Sequence, residues 1–97
     1  MKPLPNNSEL LAVAQRIIWF EGPEQALADP ARFLAYLMTY STPGDIAIIK
    51  RHVGPEEFAE ALEHAPAGII DKRSWAYWNA MAGKYPAPPM PRRKLPA

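Results

Sequence analysis

Cysteine is absent from this 97-residue chain. Its absence excludes disulfide bridges, thiolate catalysis, iron–sulfur ligation and cysteine-based zinc sites. Long apolar runs are absent as well, since no stretch approaches the ~20 residues that a membrane-spanning helix needs. The opening residues, Met-Lys-Pro-Leu-Pro, lack the apolar segment of a secretory signal. Together these absences predict a soluble, cytoplasmic protein.

An excess of charge of one sign is also missing, because eleven Lys and Arg face ten Asp and Glu. The clearest positive clusters are short: Lys50-Arg51, Lys72-Arg73 and Arg92-Arg93-Lys94. A nucleic-acid-binding domain usually concentrates positive charge on one face. The sequence therefore leaves nucleic acid open as a partner without favouring it.

Groups suited to catalysis are few. His52 and His64 are twelve residues apart on different predicted helices, so they lack the i, i+4 spacing of a helical metal pair. Four glutamates of one predicted helix resemble paired carboxylates, but such a charged row normally faces water. They are Glu56, Glu57, Glu60 and Glu63. With no glycine-rich phosphate loop or Ser/His/Asp arrangement, we predict no enzyme, cofactor or metal.

What the chain does contain is proline, twelve times, between segments whose apolar residues recur at helical spacing. The predicted helices cover residues 9–20, 30–41, 43–53, 55–65 and 72–82. Residues 22–29 are interpreted as a connector, in which Gly22 supplies a left-handed stop to the first helix. The predicted buried stripes include Phe20, Tyr40, Tyr77 and Met81.

The fold class predicted from this pattern is all-α, a compact bundle of about five short helices. A flexible arm (1–7) precedes a single helical domain (8–84). The remaining segment (85–97) holds five of the twelve prolines and is predicted to form an extended, basic tail. Three alternatives remain open for this tail: a disordered terminus, docking onto a partner, or docking onto the domain's own aromatic side chains.

Trp19 breaks the pattern of the first helix, because it projects about 180° from Leu10, among the polar side chains. It lies at a frayed helix end, packs beneath another segment, or is exposed as an anchor for a partner, a role in which Trp is enriched. Packing beneath the proline-rich tail and contact with a partner are the favoured alternatives. The tail suits docking as well, since a preordered polyproline segment loses little entropy on binding. The candidate partner-binding residues are Trp19, Lys50, Arg51, Lys72, Met90, Arg92, Arg93, Lys94 and Leu95.

The third and fourth predicted helices, joined by Val53-Gly54-Pro55, are similar in arrangement to a DNA-reading helix-turn-helix. Four glutamates on the second of them would be repelled by phosphates spaced at roughly one charge per 1.7 Å of duplex. A DNA-binding autoregulator, with contacts from Lys50, Arg51 and the tail, is therefore kept as the alternative function.

Several segments, in order, carry a family resemblance. They are Trp19-Phe20, Phe-Leu-Ala-Tyr-Leu-Met-Thr-Tyr at 33–40, Gly44-Asp45-Ile46, Ala-Leu-Glu-His-Ala-Pro at 61–66 and Arg-Ser-Trp-Ala-Tyr-Trp at 73–78. Over about residues 19–95 the chain resembles a group of small bacterial proteins regarded as antitoxins, typically encoded beside a nucleotidyltransferase of the abortive-infection type. The resemblance implies a cytoplasmic protein that binds and neutralises such a toxin.

The resemblance supplies no contact residues, so the mode of neutralisation is a separate hypothesis. The tail and the basic ends of the third and fifth predicted helices would cover the partner's nucleotide- or RNA-binding cleft. Arg92, Arg93 and Lys94 would then meet the acidic metal-binding carboxylates of the toxin.

Overall fold

The computed structural model describes residues 2–91, in which all regular structure is helical. The six helices of this part of the chain are α1 (Ser8–Ile17), α2 (Pro23–Ala28), α3 (Pro30–Tyr40), α4 (Pro43–Lys50), α5 (Pro55–Glu63) and α6 (Lys72–Met81). The all-α class is confirmed, with one helix more than the five predicted.

Proline and capping side chains set where the helices begin. Four helices, α2 to α5, start with proline, whose missing N–H is not needed in the first turn. Asn7 caps α1, where its side chain accepts the Leu10 N–H at 2.9 Å. Asp71 caps α6 in the same way, accepting the Ser74 N–H at 2.7 Å. These side chains satisfy backbone donors that the first turn leaves without a partner.

The segment predicted as a connector contains α2, so that prediction was wrong. Gly22 has a φ of −62°, outside the left-handed region, and it is the N-cap of α2 rather than the stop of α1. The Gln25 side-chain oxygen accepts the Gly22 N–H at 3.4 Å, and Ala26 and Leu27 are buried. Gly-Pro signals a helix start as well as a stop, and six residues are too few to show a helical period.

The first helix ends earlier than predicted. Ile17 is its last residue, and the backbone turns away at Ile18 (φ −114°, ψ 68°) instead of continuing to Phe20. Phe20 was assigned to the buried face, but it is 52% exposed. Trp19 and Phe20 therefore belong to the turn that leads from α1 towards α2, where a helical wheel no longer describes their direction.

One hydrophobic core contains side chains from all six helices. α1 packs against α2 and α4, α3 packs against α5, and α6 packs against both α3 and α5. Residues outside the helices join them: Ile70 is buried, and Leu4 is buried and donates its N–H to the Leu27 carbonyl at 3.0 Å. The start of the chain is thereby attached to α2. The larger fully buried side chains include Leu10, Ile18, Leu27, Phe33, Leu34, Leu37, Ile49 and Leu62.

Three side chains that the pattern placed in buried stripes lie on the surface. Tyr40, Tyr77 and Met81 are 65%, 57% and 62% exposed. The polar Asn79 is fully buried instead, four residues after Trp75 on the same side of α6, and its amide donates to the Trp75 carbonyl at 2.9 Å. In so small a bundle a helix has few neighbours, so the edges of an apolar stripe stay uncovered.

A buried carboxylate connects α4 to α1. Asp45 is only 7% exposed, and it accepts hydrogen bonds from the Arg16 guanidinium of α1 and from the Thr42 N–H. Burial raises the pKa of Asp45, but the hydrogen bonds from Arg16 and Thr42 outweigh it and the pKa is lowered overall. Because α4 makes its main packing contacts with α1, this ion pair fixes the position of α4.

Arg16→Met keeps most of the alkyl stem but leaves the Asp45 carboxylate without its charged partner. We expect the free energy of unfolding at pH 7 to fall by about 1–3 kcal/mol, measured by urea denaturation. A carboxylate whose pKa is lowered in the folded state stabilises the protein above its unfolded pKa, ordinarily 3.8. That contribution is lost as the pH falls through the folded pKa, so wild type and variant should converge towards about pH 2.

Arg51→Met is the control for this experiment. Arg51 and Glu9 form an exposed ion pair at 2.8 Å, for which we expect a loss of about 0.5 kcal/mol or less. An Arg16→Met defect that is the same at pH 7 and pH 2 would contradict the role assigned to the Asp45 charge.

Candidate protein-interaction surfaces

The residues considered as candidates for catalysis or metal binding contact other parts of the domain and do not lie together in one site. His52 and His64 lie just beyond the ends of α4 and α5, and the His52 Nδ1 is 3.4 Å from the Asn7 side-chain nitrogen. Glu57 accepts the Gly54 N–H at 3.1 Å, while Glu63 pairs with Lys84. Among residues 2–91, no group of three or more His, Asp or Glu side chains could hold a metal ion. No helix in that range is long and apolar enough to cross a bilayer.

Four aromatic rings form a continuous surface strip, which we call the aromatic row: Trp19, Phe20, Tyr36 and Tyr40. Neighbouring ring centroids in the row are 5.7, 6.0 and 6.1 Å apart. Trp19 is 77% exposed, and Phe20 and Tyr40 are also exposed, whereas Tyr36 is half-buried. The row joins the turn after α1 to the outer face of α3.

Arg32 holds the middle of the aromatic row in place. Its guanidinium carbon lies 6.0 Å from the Phe20 ring centroid and 5.3 Å from that of Tyr36. It also donates a hydrogen bond of 2.6 Å to the Glu21 carboxylate, which raises the pKa of Arg32. The ion pair ties the turn containing Phe20 to α3, so Phe20 and Tyr36 are held in place on the surface of the protein.

The sequence singled out Trp19 but missed the rest of the row. Arg32, Tyr36 and Tyr40 are spaced i, i+4 and i+8, which places them on one face of α3. That spacing was available as a signal, but Tyr40 was assigned to the core. The contact between Phe20 and Tyr36 could not be predicted from residue spacing, because it depends on where α1 ends.

The described part of the tail, residues 85–91, lies against the domain's own aromatic side chains, one of the three alternatives left open. The Trp75 indole N–H donates to the Pro88 carbonyl at 2.7 Å, and Ala87 and Met90 pack against the core. The described tail is bound at Trp75, whereas Trp19 is 77% exposed, so the prediction that Trp19 packs beneath the tail is wrong for residues 85–91. Arg92, Arg93, Lys94 and Leu95 lie outside the described residues.

The remaining predicted contact residues fall in separate places. Lys72 and Met90 line the same cavity of about 530 Å³ beside Trp75. Arg51 turns back to pair with Glu9 on α1. Lys50, next to it in sequence, lines two other cavities, one between α4, α5 and α6 and one between α3, α4 and α6. The two cations of the Lys50-Arg51 cluster therefore differ: Arg51 is paired with Glu9, whereas Lys50 borders two cavities.

Comparison of the chain with protein-family models, with curated proteins and with solved structures gave no match. The resemblance to small bacterial antitoxins stays a prediction.

Trp75→Phe tests how the tail is held, because it keeps an aromatic ring but removes the donor to Pro88. We expect the methyl resonances of Ala87 and Met90 to move towards their positions in an unstructured peptide. The domain should lose about 1 kcal/mol for the hydrogen bond, in addition to any loss of packing. Trp19→Phe, at a ring that the described tail does not contact, should leave both resonances in place. Unchanged Ala87 and Met90 signals in Trp75→Phe would contradict this attachment.

Proposed function

We propose that this protein is a non-catalytic, cytoplasmic interaction protein that acts as an antitoxin, by binding and neutralising a nucleotidyltransferase toxin. The exposed aromatic row is the observation that carries the interaction role. The class of partner rests on the sequence resemblance alone.

The aromatic row has the composition of a binding hot spot. Trp, Tyr and Arg are the residue types most enriched where protein interfaces gain their affinity. Each large aromatic ring buries ~150–250 Å² when it is fully covered. Because Arg32, paired with Glu21, already orders Phe20 and Tyr36, these two rings have little side-chain freedom left to lose on binding.

The exposure and ion pairing of the row indicate what the partner's surface must provide. Trp19, the most exposed ring of the row, requires an apolar pocket with an acceptor for its indole N–H. The Arg32 charge is already paired with Glu21, so the partner's surface opposite the row needs little charge. A body of 40 × 32 × 23 Å attached in this way is large enough to obstruct the cleft of an enzyme. Arg92, Arg93 and Lys94 would add cations for acidic carboxylates in that cleft.

The alternative, a DNA-binding autoregulator, has less support. Arg51 is paired with Glu9, and α4 and α5 make their main contacts with α1 and α3 rather than with each other. A helix-turn-helix needs its two helices packed as a unit. Salt dependence separates the two functions, because DNA affinity falls steeply as salt increases.

Co-expression tests the antitoxin function. The adjacent gene should encode a nucleotidyltransferase that arrests growth when expressed alone, and this protein should relieve the arrest. We expect the double variant Trp19→Ala and Tyr40→Ala to weaken binding of the purified toxin by about 10–100-fold, as loss of interface hot spots does. Tyr85→Ala is the matched control, because Tyr85 is 88% exposed but outside the row. Isothermal titration calorimetry provides the affinities.

Two results would overturn the proposal: a neighbouring gene of another class, or relief of arrest that the double variant leaves at the wild-type level. Replacing Arg92, Arg93 and Lys94 with serine tests the basic tail separately, and unchanged affinity would exclude its role. Tight, salt-sensitive binding to operon DNA without toxin binding would favour the autoregulator.

A further inference from the structure

We infer that a groove between α4, α5 and α6 is a second docking site, whose occupant is a short acidic and apolar segment of a partner protein. Two cavities of about 420 and 450 Å³ make up this groove, and they share Lys50 and Trp78 as walls; the first reaches α5 and the second reaches Met38 of α3. The inference rests on the proposed role as an interaction protein, but it does not depend on which partner is bound. We refer to the two cavities together as the α4–α6 groove.

Stacked aromatic rings form the floor of the α4–α6 groove. The rings of Phe58 and Trp78 are nearly parallel, at 11°, with their centroids 5.1 Å apart. Tyr77 meets Trp78 edge-on at 5.5 Å. Val53 and Met81 add aliphatic surface to the lining. Such a floor accepts one or two large apolar side chains, and the volume of each cavity falls within the range of ligand sites, roughly 300–1,000 Å³.

The groove is open because no helix of the described domain covers it. α4 packs mainly on α1, while α6 packs on α3 and α5, so α4 and α6 leave a space between them. Tyr77 and Met81 border that space, and they are the two side chains that widened the predicted apolar face of α6. Tyr77 and Met81 therefore extend the apolar face of α6 over an area that no other helix of the described domain covers.

The charges around the groove identify the kind of segment that fits. Lys50 lines both cavities and Arg73 lines the second, and both side chains are exposed. None of the described residues that line either cavity is acidic, although the Asp71 carboxylate at the start of α6 lies close enough to Arg73 to interact with its charge. Cations beside an apolar floor favour a carboxylate, since hydrogen bonds between ions are stronger than neutral ones. An occupant with an apolar side chain on the rings and an Asp or Glu near Lys50 or Arg73 satisfies both features.

A peptide fits these features better than a nucleic acid does. Nucleic acids are held mainly by many phosphate contacts along a positively charged track. The groove offers two cations and an apolar floor that would meet apolar side chains. Peptide recognition in grooves of this kind uses apolar anchors at defined spacing along the bound segment.

Selection from a library of displayed random heptapeptides tests the inference on the full-length protein. We expect enriched sequences to place Asp or Glu within four positions of Leu, Ile, Met, Phe or Trp. Their synthetic versions should bind Arg73→Glu at least tenfold more weakly than wild type, measured by fluorescence anisotropy. Met81→Ser, at an exposed rim residue, should also weaken binding.

Lys2→Glu is the control. It makes the same change of charge at an exposed position before α1, and Lys2 lines neither cavity of the groove. Affinity within twofold of wild type in this variant, with the tenfold loss in Arg73→Glu, supports the site. Equal losses in both variants would overturn it, because they would report only a general electrostatic attraction.

Three other results would also overturn the groove as assigned: no enriched peptide, enriched peptides without acidic residues, or a DNA oligonucleotide that competes for the same site. None of these results bears on the antitoxin proposal, which is tested by substitutions in the aromatic row. Conversely, a protein that binds acidic peptides in the groove but relieves no toxin would keep this inference and lose the antitoxin function.

Discussion

Short helices are the constraint on which the rest of this structure depends. Four of the six helices in the described chain begin with proline, and none exceeds eleven residues. A helix of that length has little stability in water on its own, so packing of its apolar face must hold it in place. Each helix packs against only one to four others, which completes a core but leaves the edges of several apolar stripes uncovered. The two surfaces that we propose for interaction lie at those edges.

The beginnings of five of the six described helices could be predicted from the sequence to within a residue or two, because the signals are local. Asp29-Pro30, Thr42-Pro43 and Gly54-Pro55 each place a capping position directly before a proline, and α3, α4 and α5 begin there. Asp71 likewise caps α6 as predicted. Gly83, the predicted end of the last helix, has a φ of +83° directly after the C-cap residue Ala82.

What could not be predicted depends on contacts between distant residues. Apolar spacing continued the first helix to Phe20, whereas the chain leaves the helix at Ile18 to bring α2 onto α1. A helical wheel shows that Tyr77 and Met81 flank the apolar face of α6. It does not show that α4 stands away from α6, where it leaves both side chains uncovered. The aromatic row could not be predicted for the same reason, because it combines Phe20 from one segment with Tyr36 from another.

The two proposed surfaces differ in how their charges are used, and this difference implies different partners. In the aromatic row the cation is already committed, because Arg32 is bound to Glu21 and the row presents mainly ring surface. In the α4–α6 groove, Lys50 and Arg73 border an apolar floor with no acid among the described lining residues. The row therefore selects for apolar shape, and the groove selects for negative charge beside an apolar anchor.

The helix α6 separates the groove from the tail. Lys72, Trp75 and Ala76 line the cavity beside the tail, whereas Arg73, Tyr77 and Trp78 line the groove. The described tail is thus engaged on one side of α6 through the Trp75 indole, and this leaves the rings of the other side available. Because one helix forms both walls, a partner segment in the groove and the chain's own proline-rich segment can be bound at the same time.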